Sequence, residues 1–406
     1  MIHLKRTGLA LLLVVALASF SVFKETNAAE PSLTDAGTPG IATGGGVQYL
    51  STVELAEYMD GLAAVNAKWV RFDFAWSDIQ ATDSATFSWA KYDAVVAAAK
   101  ARNIEVLGMI GYTPAWARPA GCNNDKCHPN DPAQFATFVG QTVDRYKAEG
   151  VTNWEIWNEP NIETFWQPAP NVAQYSELLQ QSYIAAKAAD PTALVLNGGF
   201  SPAESNGTNI APTDFLSGIY SSGAGTYFDA VAHHPYCFSG TFDCPSTYAP
   251  WSAWSQMSET PVNMRDIMTA NGDSLKKIWV TEFGAPTKGS ASVSEAQQAT
   301  MLNNAYAILQ SKPWAGPLFW YSYKDAGTNK KDREDWFGFI RYNDTHKPAY
   351  DTYMGLSIAP PTEQPVEPVP APEPTVPPGK SKKNNAKNTR QVKTSLHSPS
   401  KLLHYI

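Results

Sequence analysis

Apolar positions along this chain recur with two periods that take turns. From Ser51 to Ala67, Leu55, Met59, Leu62, Ala63 and Val65 keep helical spacing, and Ser51 with Glu54 three residues on forms a capping box at the start. Lys68 to Trp76 then reads as a strand, and Trp89 to Arg102 as a helix with Tyr92, Val95, Val96 and Ala99 turned inward. The beat continues with strand 104–112, helix 132–149, strand 151–159, helix 172–189, strand 194–200, helix 213–221 and strand 228–236. Helix 254–270, closed by Asn271-Gly272, precedes strand 277–283, helix 294–310, strand 317–323 and a short helix near 348–356. A first strand belongs before Ser51, in the glycine-rich stretch 40–49, where the pattern places it poorly.

Strands alternating with helices imply a parallel sheet covered by helices. Eight such repeats over about 320 residues favour a closed (β/α)8 TIM barrel over an open doubly wound sheet. No Gly-x-Gly-x-x-Gly follows an early strand to suggest nucleotide binding. With 406 residues, 43% of them hydrophobic, the chain can bury a full core, which excludes a disordered protein.

The barrel takes residues 30–358. Ahead of it, His3, Lys5 and Arg6 precede an apolar run from Leu9 to Phe23 and the small residues Asn27, Ala28 and Ala29. That is the pattern of a secretory signal peptide over 1–29, so the protein is expected to be secreted or extracellular. A membrane anchor needs about 18 or more apolar residues, and this run is shorter; Lys24 and Glu25 leave the cleavage point open. Residues 359–379 are dense in Pro, with Glu363, Glu367 and Glu373 between, and read as an extended linker. Residues 380–406 hold seven Lys or Arg and no acid, and read as a basic disordered tail. Between 30 and 358 there are 34 acidic against 21 basic residues, so the formal charge of −7 joins an acidic body to a basic tail. The tail either attaches the protein at the cell surface to an anionic envelope polymer or membrane, or merely solubilises it.

Four cysteines in an exported chain suggest disulfides, and they fall as two close pairs, Cys122 with Cys127 and Cys237 with Cys244. Cys-x4-Cys beside His128 also admits a zinc reading, but neither a Cys-x2-Cys nor a His-x3-His half is present.

The stretch Trp154 to Asn161, Trp-Glu-Ile-Trp-Asn-Glu-Pro-Asn, ends a strand in two polar residues and a proline that cannot continue the ladder. If a carboxylate there faces an aromatic-walled cleft, its pKa should rise, as a general acid requires. Glu282 ends the seventh strand in Trp-Val-Thr-Glu-Phe-Gly-Ala-Pro. Catalytic groups of such barrels sit at strand C-termini, so Glu159 and Glu282 face each other across one mouth. Paired carboxyls are what glycoside hydrolysis needs, one to protonate the leaving oxygen and one to attack the anomeric carbon or activate water.

With Trp-Asn-Glu-Pro at the end of strand four, His-Pro-Tyr at strand six and Thr-Glu-Phe-Gly at strand seven, the chain over about 40–356 resembles the clan of retaining glycoside hydrolases on (β/α)8 barrels, closest to families 39 and 5. The resemblance implies Glu159 as acid/base, Glu282 as nucleophile, and Asn158 as partner of the sugar 2-hydroxyl. It also implies that His234 and Tyr236 line the reacting subsite, that Arg71 supports the nucleophile, and that Trp320 lies under the sugar ring. Arg71 beside Glu282 would keep that carboxylate ionised; the plainer alternative is a salt bridge from Arg71 to Asp73 or Asp78. Trp320 could instead be barrel core. Asn158 and Glu159 are neighbours, so a bulge or twist must aim both at the sugar, and His233 should face away from the mouth.

Thirteen Trp and 18 Tyr, with Trp116, Trp166, Trp251 and Trp336 following strand ends, favour a polysaccharide cleft over a small pocket. The expected partner is a polysaccharide or oligosaccharide; no cofactor, metal or nucleic acid is expected, and the default state is a monomer. Two other classes are weighed. Adjacent His233 and His234 could suggest a metal-dependent hydrolase, but neighbours on a strand cannot both reach one metal. A non-catalytic carbohydrate-binding barrel held by its basic tail would have no need of both glutamates.

Overall fold

In the computed structural model, residues 36–238, 241–244 and 252–358 are described. The expected signal peptide, linker and basic tail, and Trp251, lie outside the described residues. The chain forms eight parallel strands: β1 (Pro39–Ala42), β2 (Trp69–Ala75), β3 (Glu105–Gly111), β4 (Asn153–Asn158), β5 (Leu194–Gly199), β6 (Val231–His233), β7 (Ile278–Phe283) and β8 (Ala315–Tyr321). They pair in the order β5-β4-β3-β2-β1-β8-β7-β6. The two ends meet through parallel bridges Leu196–Ala230 and Phe200–His233, so the sheet closes and no edge is left exposed.

The β5–β6 join is partly made by a side chain. Asn197 Oδ1 accepts from the Ala232 backbone N–H at 3.0 Å, and its Nδ2 donates to the Ala232 carbonyl at 3.3 Å.

Between the strands run α1 (Thr52–Ala64), α2 (Trp76–Ile79), α3 (Ala90–Lys100), α4 (Pro132–Tyr146), α5 (Val172–Ala189), α6 (Pro212–Ser221), α7 (Met264–Ala270) and α8 (Glu295–Gln310), with α9 (Pro348–Ile358) closing the barrel. The Ser51–Glu54 capping box forms as its spacing predicts. The expected helix 254–270 does not run through. It is a short π-helical turn, Ser255–Glu259, and then α7, which starts afresh on a capping box of Asn263 and Asp266. Pro261 lies in the gap, where it has no N–H to give a continuing helix. Strand β6 is likewise shorter than 228–236, since Pro235 ends its ladder.

Two cores follow from strand alternation. Outside the barrel, one apolar layer packs strands against helices. Inside, Trp69, Trp279 and Phe319 fill the floor with Leu107 and Leu196, the tryptophans meeting edge-on at 5.5 Å. Such bulk fits because β1 is slim there: a Cβ on Gly40 would lie 2.7 Å from the Phe319 ring. This packed floor leaves the opposite, C-terminal end of the barrel as the open mouth. Among the described residues, no helix is long and apolar enough to cross a membrane.

Candidate active site

Two irregular strand ends build the mouth. On β4, Trp157 and Glu159 adopt left-handed backbone, with φ of 73° and 45°. That breaks strict alternation, so Asn158 and Glu159 both serve the mouth while Trp157 turns outward; the expected twist is real. Such conformations cost about 1–3 kcal/mol each and persist because the surroundings hold them. Trp157 Nε1 donates to the Phe165 carbonyl at 2.7 Å, and its ring packs edge-on against Phe135 and Trp166. On β7 the pairing with β8 slips between Val280 and Phe283, an extra residue on β7. This bulge turns Thr281 and Glu282 both inward.

Arg71, on β2, gathers the floor of the site. Its Nη1 donates to Glu282 Oε1 at 2.6 Å and its Nη2 to Asn158 Oδ1 at 2.8 Å. The other donors grip Glu155, Nε to Oε2 at 2.6 Å and Nη2 to Oε1 at 3.2 Å. Neither Asp73 nor Asp78 is its ion-pair partner: Asp78 binds Lys91 and Tyr92 instead. Because a guanidinium only donates, the Asn158 oxygen faces Arg71 and its NH2 is left for another partner.

His234 joins the two candidate catalytic carboxylates. Its Nδ1 lies 2.9 Å from Glu159 Oε1 and 3.8 Å from Glu282 Oε2, while Nε2 lies 3.0 Å from Thr281 Oγ1. The ring fits because β5 carries no side chain there: a Cβ on Gly199 would sit 2.2 Å from Nε2. Tyr236 donates its hydroxyl to Glu282 Oε2 at 2.8 Å.

The charges set the proton positions. Burial opposes ionisation of Glu282, but His234, Arg71 and the Tyr236 hydroxyl outweigh it and hold the carboxyl below its usual range. For His234 burial is also outweighed, here by Glu282 and Glu159, and the imidazole titrates above its ordinary value. His233 faces the other way, with Nδ1 2.8 Å from the Phe200 carbonyl oxygen. Burial, with His234 beside it, lowers its pKa to about 4.

The structure therefore brings together Glu159, Glu282, Asn158, Arg71, His234 and Tyr236. It does not bring in Trp320, which is fully buried in the layer outside the barrel against Phe283. Alternation from Phe319, which points into the barrel, turns Tyr321 inward instead, 6.5 Å edge-on to Tyr236. Trp166 is also core. Trp116 and Trp336 are half-buried, their indole N–H groups bonded to the carbonyls of Gln80 and Asn329.

Both cysteine pairs are bonded, Cys122 to Cys127 and Cys237 to Cys244, with Cα separations of 6.0 and 6.2 Å. The thiolates that the zinc reading needs are thus tied to each other. Among the described residues no three His, Cys, Asp or Glu gather as a metal site.

Sequence reasoning missed Glu155 and Thr281. Glu155 carried a signal, a charge inside an otherwise apolar parallel strand, which demands a buried partner. Thr281 carried none, since its facing depends on the β7 bulge.

Comparison with known proteins bears on the fold and the family. A β-xylosidase of Geobacillus stearothermophilus is 38% identical over 84 residues, 20% of this chain and 16% of that protein. Among solved structures, a family 39 glycoside hydrolase from Bacteroides cellulosilyticus superposes with a TM-score of 0.63 at 20% identity, over 81% of this chain and 65% of that one. A monomeric β-xylosidase from Caulobacter crescentus gives 0.59 at 18%, over 79% and 68%. At such identities the structural likeness speaks for the fold, and the chain spans about two thirds of these structures and a sixth of the curated relative. The family model for cellulase (glycosyl hydrolase family 5) matches residues 30–339, and the chain belongs to that family.

Proposed function

We propose that this chain is a secreted, retaining glycoside hydrolase that cleaves O-glycosidic bonds of a β-linked polysaccharide or exopolysaccharide. The observation that carries the reading is the setting of Glu282, clamped between Arg71 and Tyr236, with Glu159 joined to it through His234. A carboxylate held ionised and aimed by two donors is a nucleophile in waiting. Both carboxylates lie within 3.8 Å of His234 Nδ1. That closeness suits the retaining spacing of roughly 5 to 5.5 Å and not the roughly 6.5 to 9.5 Å of inversion.

In the first step Glu282 attacks the anomeric carbon as Glu159 gives its proton to the departing glycosidic oxygen. The carbon–oxygen bond breaks and a glycosyl ester forms on Glu282. In the second step Glu159 takes a proton from water, whose oxygen attacks the same carbon and releases Glu282. Asn158 presents its NH2 to the sugar 2-hydroxyl, a contact that strengthens as charge develops. Tyr321, in the place expected for Trp320, offers an aromatic face beside the ring.

Export belongs to the same proposal, supported by the apolar N-terminal run and by two disulfides, which persist in oxidising compartments. The basic segment 380–406 would hold the enzyme on an anionic envelope polymer. A chain ending at Pro361 that binds cells as well as the full chain overturns that attachment.

The test of activity sets wild type beside Glu282→Ala on a panel of bacterial and plant polysaccharides, with products followed by mass. Oligosaccharides released by wild type alone establish the glycosidase. Binding by both proteins with cleavage by neither replaces it with a carbohydrate-binding barrel.

A further inference from the structure

Glu155, Glu159 and Glu282 each have a hydrogen-bond partner at the mouth. A fourth carboxylate does not. Asp73 lies two residues beyond Arg71 on β2 and therefore on the same inward face. Its side chain is only 7% exposed, yet among the described residues it accepts no hydrogen bond and makes no ion pair. Its Oδ2 lies against the backbone of Gly45, 3.2 Å from where a Cβ would stand. The charges that bear on it most are Arg71, Glu282 and Lys126. It shares the inward face of β2 with Arg71, the residue that holds Glu282. Lys126 rests its Nζ over the Tyr112 ring, 3.4 Å from the centroid, and pairs with Asp125 at 3.3 Å.

A carboxylate this nearly buried, its oxygens open to the mouth and given no donor by the protein, is placed where a ligand can supply the donors. Burial pushes the Asp73 carboxyl up to about 6, with Arg71 opposing it, so at neutral pH it is mainly an ionised acceptor. The chemistry that completes it is a pair of neutral O–H donors, as on adjacent carbons of a sugar. A second anion in that place, beside Asp73 and Glu282 together, is repelled.

We infer that Asp73 is a specificity-determining residue: it receives two hydroxyls of the sugar whose anomeric carbon Glu282 attacks, and so selects a neutral glycose over a uronic acid in that subsite. This rests on the glycosidase reading and narrows its substrate class.

The experiment uses the full chain and Asp73→Asn, Asp73→Ala and Glu282→Ala. Each is assayed on 4-nitrophenyl β-glycosides of neutral sugars and of glucuronic acid, then on single-deoxy analogues of the best neutral substrate. Wild type should cleave a neutral glycoside and not the glucuronide. Asp73→Ala should lose about 10- to 100-fold in kcat/KM on the parent glycoside, but less than about threefold on the analogue lacking the hydroxyl that Asp73 holds. Asp73→Asn, of the same shape, should melt no lower than wild type, since the carboxylate has no protein donor to lose. Kinetics within threefold of wild type on every substrate overturn the inference. So does an equal loss on all analogues accompanied by a lower Tm, which marks a structural role. If wild type is no better than Glu282→Ala on these glycosides and on the polysaccharide panel alike, the glycosidase reading itself falls, and this inference with it.

Discussion

Glu155 takes two hydrogen bonds from Arg71, at 2.6 and 3.2 Å, where neither side chain is more than 1% exposed. It also accepts from the Gly199 N–H at 2.7 Å and the Thr281 hydroxyl at 3.3 Å. The guanidinium that touches Glu282 and Asn158 is thus aimed by a carboxylate set a full strand pleat below the mouth. Arg71 meets two carboxylates with different duties, one to anchor it and one to be held by it.

Removing that anchor should damage stability and catalysis together. For Glu155→Ala, breaking a buried ion pair costs about 3–5 kcal/mol, which denaturant unfolding would register. Glu155→Gln keeps the shape, and its kcat/KM should still fall, because Arg71 then leans harder on Glu282 and blunts the nucleophile.

Tyr236→Phe removes the hydroxyl that donates to Glu282 at 2.8 Å. A hydrogen bond to a charged group is worth about 1.5–3 kcal/mol, so kcat should drop about 10- to 100-fold. The phenol is one of the groups that lower the Glu282 pKa. Its loss raises that pKa, and the acid limb of the pH–rate profile should move to higher pH. An unmoved limb would separate Tyr236 from the nucleophile.

His233 gives a pH dependence of stability that is independent of catalysis. Its folded pKa of about 4 lies below its ordinary 6.5. Between those values the unfolded chain binds the proton and the folded one does not, so stability falls as pH falls across the window, by about 3 kcal/mol in all. His234 has its pKa raised, so its contribution is complete below 6.5 and fades as pH rises through the folded value. Unfolding curves at several pH values should therefore be flatter for His233→Gln than for wild type between about pH 4 and 6.5.

Trp320 and Tyr321 should part company when substituted. Trp320→Ala empties a fully buried site and is expected to cost about 3–5 kcal/mol with little change in KM. Tyr321→Ala should raise KM and leave the melting temperature nearly intact. The reverse result, KM following Trp320, would return the tryptophan to the mouth.

That pair also marks how far the sequence could be read. Period-two and helical spacing placed seven of the eight strands, because burial of one face leaves a repeat in composition; the short first strand, Pro39–Ala42 in a glycine-rich stretch, left none. Pro160 and the matching positions of Glu159 and Glu282 brought the two acids to one mouth. Facing at the strand ends was less legible. A slip of one residue reverses it, and the slips here lie in the backbone: left-handed Trp157 and Glu159, and the extra residue in β7. Thr281 was invisible for that reason, and Tyr321 stood one position from the residue that resemblance named. The interruption at Pro261 was written in the sequence, but the apolar spacing on both sides of it concealed the break.

The closing seam of the barrel has a consequence of another kind. Seven seams are backbone ladders, built of groups that every residue carries apart from the imino nitrogen of proline, and substitution seldom removes them. At the eighth, between β5 and β6, backbone hydrogen bonds from Asp229, Phe200 and His234 are joined by one carboxamide that supplies further rungs. The ring is therefore heritable at one point in a way that it is not elsewhere. Exchanging Asn197 for an aliphatic residue of similar size deletes a rung and leaves the seam to its backbone bonds, one of them given by the N–H of His234 itself.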